Sequence, residues 1–299
     1  MILYYILKPL VILLNYTPRK FLHCVAKFMA FMLWHISKER RHVAVTNAKI
    51  LGAEYPYKTA RKSFDYTFTA YLDIFYAHRI GDDYIKNHVT IEGRQIYDKI
   101  KNEDEKFVFV GGHFGTWSLL ATIVPQALDT QVITIGRSTK NAALDKILDE
   151  LRTFDRVKYV THRGAMDKLS SYINDGYIPG VYIDHTATEK DCINANFCGY
   201  KVPVIAGIPA LCARKNYPIV FFFGLYDGMD TKVILKGPIY PDKSLKPKER
   251  IIKIAEDINK VYEEVFKQYP EQWYLIHRRF KRVELEDGTM SNHIYKESR

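Results

Sequence analysis

Short apolar runs alternate with amphipathic stretches through most of the chain, and no other feature restricts the fold as much. The runs at 106–111, 131–135, 157–160, 178–184, 218–224 and 231–238 have strand length. Helical periodicity falls between them at 117–128, 141–154, 164–175 and 206–216, and a longer helical stretch over 247–269 follows. Strands spaced by helices predict an α/β fold, a largely parallel sheet covered by helices on both faces. Residues 40–79 read as helical, with an aromatic stripe of Phe64, Tyr66, Phe68, Tyr71, Phe75 and Tyr76 that is expected to pack in the core. No repeat or low-complexity linker divides the chain. The expectation is one α/β domain over 37–299 behind a helical N-terminal segment, 1–36.

That N-terminal segment is unusual. Within residues 1–50 there are eight lysines and arginines but a single acid, Glu39, a large part of the net +10 of the 299-residue chain. The same stretch is rich in Leu, Ile, Phe and Met, yet Lys8-Pro9 interrupts it well short of the roughly 18–20 apolar residues of a spanning helix. No small-residue cleavage site follows, which argues against a signal peptide. Apolar helices edged by cations predict insertion into one leaflet of an anionic membrane; the alternative is a buried helical hairpin. Hydrophobic residues at 47% exclude disorder, and four cysteines without a CxxC pair suit a reducing compartment and no zinc site. The basic surface favours anionic partners, but no nucleic-acid recognition motif is present.

Two strand ends carry candidate chemistry, because open α/β sheets place their sites beyond the carboxyl ends of strands. The first is Phe107-Val-Phe-Val-Gly-Gly-His113-Phe-Gly-Thr-Trp-Ser118, which runs into an apolar helix. Its glycines allow a tight turn that brings His113 to the sheet edge; the plain alternative is a packed, hydrogen-bonded histidine. The second is Gly180-Val-Tyr-Ile-Asp184-His185. A carboxylate ending a buried apolar strand is costly unless it is used, although it could cap the following loop. Ser118 lacks the Gly-x-Ser-x-Gly context of a hydrolase nucleophile.

The ordered motifs resemble those of the lipid A biosynthesis acyltransferases, the lauroyl/myristoyl transferase family. Gly111-Gly-His113-Phe-Gly-Thr-Trp is similar to the family's His-x4-Asp/Glu block, and Arg137-Ser-Thr-Lys-Asn141 resembles its Arg-Pro-x-x-Asn stretch. Arg152 on the next helix, Asp184-His185, Phe197-Cys-Gly199 and the Pro209–Ala213 segment follow in the family's order. Gln272-Trp273 and His277-Arg-Arg-Phe-Lys281 resemble its C-terminal block, and Arg40-Arg41 with Asn47 its early one. The resemblance covers roughly residues 4–282 and implies a glycerolipid-acyltransferase-like sheet.

It also implies transfer of a fatty acyl chain from acyl carrier protein or acyl-CoA to a hydroxyl of a membrane glycolipid such as a lipid A precursor. The location implied is the cytoplasmic face of the bacterial inner membrane, with no metal or other cofactor. His113 would be the general base, and Arg152 with backbone N–H groups between Gly112 and Gly115 would face the developing oxyanion. Gly112, Ser118, Arg137 and Asn141 would contact substrate, and Arg278, Arg279 and Lys281 would hold phosphates, or else form a solvated basic tail. One departure stands out: Ser118 occupies the position of the family's acid. A serine cannot supply the charge that stabilises an imidazolium, so Asp184 is expected to take that role. The competing reading is a catalytically silent relative that binds lipid or a partner enzyme.

Overall fold

The computed structural model describes residues 2–136, 138–161, 165–187 and 192–296, without the side chains of 165–167. Helices α1 (Ile2–Tyr16), α2 (Arg19–Ile36), α3 (Lys38–Ile50) and α4 (Pro56–Asp73) come first. They are followed by α5 (Asp82–His88), β1 (Val89–Glu92), α6 (Arg94–Asn102), β2 (Val108–Gly111), α7 (Trp117–Ala127) and β3 (Val132–Gly136). Next come α8 (Ala142–Arg152), β4 (Val157–Thr161), α9 (Ala165–Asn174), β5 (Ile178–Tyr182), β6 (Cys192–Phe197) and β7 (Tyr200–Ile205). The chain continues through α10 (Gly207–Lys215), β8 (Ile219–Asp227), β9 (Asp230–Ile239) and α11 (Pro247–Gln268) to β10 (Val283–Glu284) and β11 (Met290–Ser291).

Seven strands form the main sheet in the order β1-β9-β8-β2-β5-β3-β4, and every neighbouring pair except β8–β9 is parallel. The central strands are apolar on both faces because two cores meet there. Val108, Val110, Phe221 and Phe223 enter the core beneath α11 and α4, whereas Phe107, Phe109, Val220 and Phe222 enter a second core with α7. This period-two division explains why the runs read as continuous hydrophobics rather than as alternating patterns. Helix α11 closes one face with Ile254, Ile258, Tyr262, Val265 and Phe266, a stripe at helical spacing.

The structure adds elements that the apolar runs did not signal. Strands β6, β7, β10 and β11 form a separate antiparallel sheet, whose β6–β7 hairpin turns at Cys198 and Gly199, both with positive φ. The Phe197-Cys-Gly199 element is therefore a two-residue hairpin turn. Its strands carry polar residues facing solvent, so their hydrophobic signal is weak.

The expected boundary at residue 36 does not coincide with a break in packing. Helix α2 buries Leu22, Ala26, Ala30 and Trp34, and its Arg19 lies in a buried ionic cluster. Arg19 donates through Nε and Nη2 to the two carboxylate oxygens of Asp73 at 2.9 and 2.8 Å, while His23 and Tyr226 reach the same carboxylate at 2.9 and 2.8 Å. Helix α1 rests Tyr4 and Val11 on Ala143, Ile147 and Leu151 of α8, and both Tyr4 and Lys8 contact Glu150. The outer faces of α1 and α2 remain apolar and exposed, including Ile6, Leu13, Phe21, Phe28 and Ile36. Among the described residues, no helix is long and apolar enough to cross a membrane.

Candidate active site

Strand register creates the site. Gly111 at the end of β2 lies opposite Tyr182 at the end of the parallel neighbour β5. Two residues further along each chain come His113 and Asp184, so the two side chains emerge side by side at the carboxyl edge. His113 Nδ1 lies 2.8 Å from Asp184 Oδ1, and the His113 backbone N–H donates to Oδ2 at 3.1 Å. Trp273 Nε1 donates to the same Oδ2 at 3.1 Å. Asp184 is thus paired with the histidine and does not cap its loop.

Close approach here depends on Gly112. A Cβ at that position would stand 3.1 Å from Phe266 Cζ and 3.4 Å from Asp184 Cγ. Gly112 therefore lets the chain leaving β2 pack closely against the carboxylate. Gly115 adopts φ +49, where a Cβ would meet the Gly224 carbonyl oxygen at 2.0 Å, so only glycine fits that turn.

Burial alone would raise the Asp184 pKa. The His113 charge and hydrogen bond, the nearby His185 and the Trp273 donor outweigh it and hold the carboxyl well below the usual range. An ionised Asp184 only accepts, so Nδ1 of His113 carries the proton that faces it, and Nε2 is the nitrogen that accepts whenever the ring holds a single proton. His185 stacks on His113 at 3.9 Å between ring centres and 9° between planes, and His277 stacks on His185 at 4.0 Å and 21°. Burial, with the neighbouring His113 charge, pushes the His185 pKa well down; burial pushes that of His277 down to about 4. Both rings are neutral near pH 7, and His277 Nε2 accepts from the Thr186 N–H at 3.1 Å.

His113, Asp184 and His185 bring three possible metal-ligand atoms within 4.8 Å of one another. Their arrangement does not suit an ion. Imidazole lone pairs lie in the ring plane, and an ion about 2.1 Å from both stacked rings would lie out of both planes. Asp184 Oδ1 is moreover engaged with the His113 Nδ1 proton.

The segment after α11 forms one wall. Phe114 and Trp273 make an antiparallel bridge, the Tyr274 N–H donates to the His113 carbonyl at 3.0 Å, and the Gly115 N–H donates to the Gln272 carbonyl at 2.8 Å. Asn47 of α3 donates to the carbonyls of Leu275 and His277 at 2.7 and 2.8 Å, and Ser63 of α4 donates to that of Trp273 at 2.5 Å. Asn47 thereby ties the early block of the sequence to the late one.

Several expected site residues lie elsewhere. Arg152 donates to the Tyr159 hydroxyl at 3.1 Å and stacks over that ring, on edge strand β4, three places from β2. That hydroxyl reaches back over Gly136 at the carboxyl end of β3, two places from β2, so Arg152 stands beside the His113–Asp184 pair and makes no contact with it. The N–H groups of His113 and Gly115 are already engaged, which removes two of the backbone donors expected between Gly112 and Gly115. Asn141 spends its side-chain oxygen capping α8, accepting from Ala143 N and Leu144 N at 3.0 and 3.2 Å. Arg279 is 1% exposed, donates to the Pro203 carbonyl at 2.7 Å and lies over Phe197, so it cannot hold a solvent-borne phosphate. Burial pushes its pKa down to about 10. Arg278 is half-buried and pairs with Glu39 at 2.8 Å. The Ser118 hydroxyl is buried with no hydrogen-bond partner among the described residues. Arg137 lies outside the described residues.

Trp273, His185, His277 and Tyr274 were not singled out as site residues from the sequence. Trp273 and His277 lie in the C-terminal motif and His185 follows Asp184, so the motif positions were the available signal. The geometry defines an acid–base site that can take a proton from a hydroxyl at the edge of an α/β sheet. The chain belongs to the bacterial lipid A biosynthesis acyltransferases, whose family model matches residues 2–282. No curated protein matches it.

Proposed function

We propose that this acyltransferase moves a fatty acyl chain from a thioester donor, acyl carrier protein or acyl-CoA, to a hydroxyl of a membrane glycolipid of the lipid A precursor class. The observation that carries the reading is the 2.8 Å contact between His113 and Asp184, which restores a histidine–carboxylate pair despite Ser118. Nε2 of His113 takes the proton of the acceptor hydroxyl as its oxygen attacks the thioester carbonyl carbon. The carbonyl electron pair moves onto oxygen and returns as the C–S bond breaks, and the proton held by Nε2 passes to the leaving sulfur. Asp184 holds the tautomer and offsets the imidazolium charge.

The acceptor is a lipid, and the exposed apolar faces of α1 and α2 support one-leaflet attachment to an anionic membrane, the cytoplasmic face of the inner membrane. Lys20 and Lys27 are exposed beside those faces and complement such a surface. The net charge of +10 suits both an acidic carrier protein and a phosphorylated coenzyme.

Lipid mass spectrometry of cells with and without the gene tests the reading, with His113→Ala as the control. The gene is expected to add one acyl chain to a glycolipid, and His113→Ala to abolish the addition while the protein stays folded. An unchanged lipid profile would favour the silent relative. In flotation with anionic vesicles, the wild-type chain is expected to rise with the lipid and to be only partly released by high salt, because apolar insertion is not screened. Binding lost entirely in salt would remove the insertion.

A further inference from the structure

Arg279 is buried and the His113 and Gly115 amides are engaged, so fewer of the expected donors face the developing oxyanion, and four aromatic side chains at the mouth of the site supply another candidate. His113 meets Trp117 at 5.0 Å between ring centres, Trp117 meets Tyr71 at 5.7 Å, Tyr71 meets Tyr274 at 6.1 Å, and Tyr274 meets His113 at 6.1 Å. The circuit closes on the catalytic ring. Tyr71 was expected in the core with the rest of the α4 stripe, yet it is 43% exposed and its hydroxyl donates to the Tyr274 hydroxyl at 2.9 Å. Two hydroxyls joined by one hydrogen bond leave one proton over, and no acceptor for it is found among the described residues. A donor without a protein acceptor at the exposed mouth of the site, with the Arg40 charge nearby, is ready for a ligand oxygen.

We infer that the paired hydroxyls of Tyr71 and Tyr274 donate the hydrogen bond that stabilises the oxyanion formed on the thioester carbonyl, an assignment that rests on the acyl-transfer reading of His113 and Asp184. The dimensions agree. In a reactive complex the attacking oxygen sits about 3 Å from Nε2 and the carbonyl carbon about 3–3.5 Å beyond it, which puts the carbonyl oxygen roughly 5–6 Å from the histidine. The Tyr274 ring is centred 6.1 Å from the imidazole and its hydroxyl lies about 2.8 Å from the ring centre, so the hydroxyl can come within hydrogen-bond reach of an oxygen at that distance. A phenol is ordinarily protonated at neutral pH, so it donates without first gaining a proton. The pair would act as one unit, Tyr71 polarising Tyr274 and Tyr274 facing the oxyanion, and Trp117 would keep water from the carbonyl.

The test uses the full-length protein in mixed micelles, with dodecanoyl acyl carrier protein as donor and a lipid A precursor as acceptor. Tyr274→Phe is expected to lower kcat about 100-fold with KM changed less than about twofold, the pattern of a donor used in the transition state. Tyr71→Phe is expected to lower kcat about tenfold. The double variant should be little worse than Tyr274→Phe, because both changes disable one unit. Each substitution removes a single oxygen, and unchanged thermal melting shows that the rings remain packed. Full kcat in Tyr274→Phe, or a loss confined to KM, overturns the assignment. His113→Ala in the same assay separates the two failures: if it abolishes transfer while Tyr274→Phe does not, the acyl-transfer reading stands and the tyrosine pair falls.

Discussion

Replacing Asp184 with Asn tests the site at its most constrained atom. The carboxylate faces three donors: His113 Nδ1 at 2.8 Å on Oδ1, and the His113 N–H and Trp273 Nε1 at 3.1 Å on Oδ2. An asparagine has one accepting oxygen and can be placed in two ways. With its oxygen toward His113 Nδ1, its NH2 group meets two buried donors, at about 1–3 kcal/mol for each unsatisfied group. With its oxygen toward the two fixed donors, its NH2 group faces Nδ1, which must then accept. The second placement leaves every buried group satisfied, so it is the one the chain adopts. It moves the imidazole proton to Nε2, the atom that must receive the acceptor's proton. A wrong-tautomer loss is on the order of 10³- to 10⁴-fold in kcat, or about 4–5.5 kcal/mol of barrier. Two measurements check it: kcat for acyl transfer from dodecanoyl acyl carrier protein, and the ring-nitrogen NMR shifts of His113, which should exchange roles. Asp184→Asn protein that retains more than about a tenth of wild-type kcat, or keeps the proton on Nδ1, would falsify the dyad.

Two further outcomes follow from buried charge. Asp73→Asn should cost about 3–5 kcal/mol in denaturant unfolding, because Arg19 is 6% exposed and would lose its bidentate partner; a loss below about 1 kcal/mol would mean that α2 is not anchored through this cluster. Stability should also fall on acidification from about pH 6.5 to pH 4. Burial holds the folded His277 pKa at about 4 against 6.5, so in that window the unfolded chain binds a proton that the folded chain refuses. That histidine alone accounts for up to about 3 kcal/mol by pH 4, on top of a contribution of the same sign from His185. His277→Gln keeps an acceptor for the Thr186 N–H and should flatten the slope of urea-unfolding free energy against pH; an unaltered slope would show that the ring is not the source.

The alternation of apolar runs and helical stretches was enough to predict the parallel part of the sheet, because strands buried on both faces must be hydrophobic throughout. The run at 106–111 corresponds to β2, and that at 218–224 to the first part of β8, whose residues are buried from Ile219 to Tyr226. Strand β1, with one face exposed, and the small antiparallel sheet left no comparable trace, since short half-exposed strands mix polar with apolar residues. His113 and Asp184 could be picked out individually, each as a polar residue closing an apolar strand. Their partnership could not be read along the chain, because 71 residues separate them and only the Gly111–Tyr182 register between β2 and β5 sets them side by side. Tertiary structure likewise redistributed the cations. Composition counts Arg152, Arg278 and Arg279 alike, but burial commits Arg279 to the Pro203 carbonyl, whereas Arg152 donates to Tyr159 and Arg278 pairs with Glu39. Composition and periodicity determine which segments must be buried; which polar groups meet once they are buried is decided by strand order and register, which no local pattern encodes.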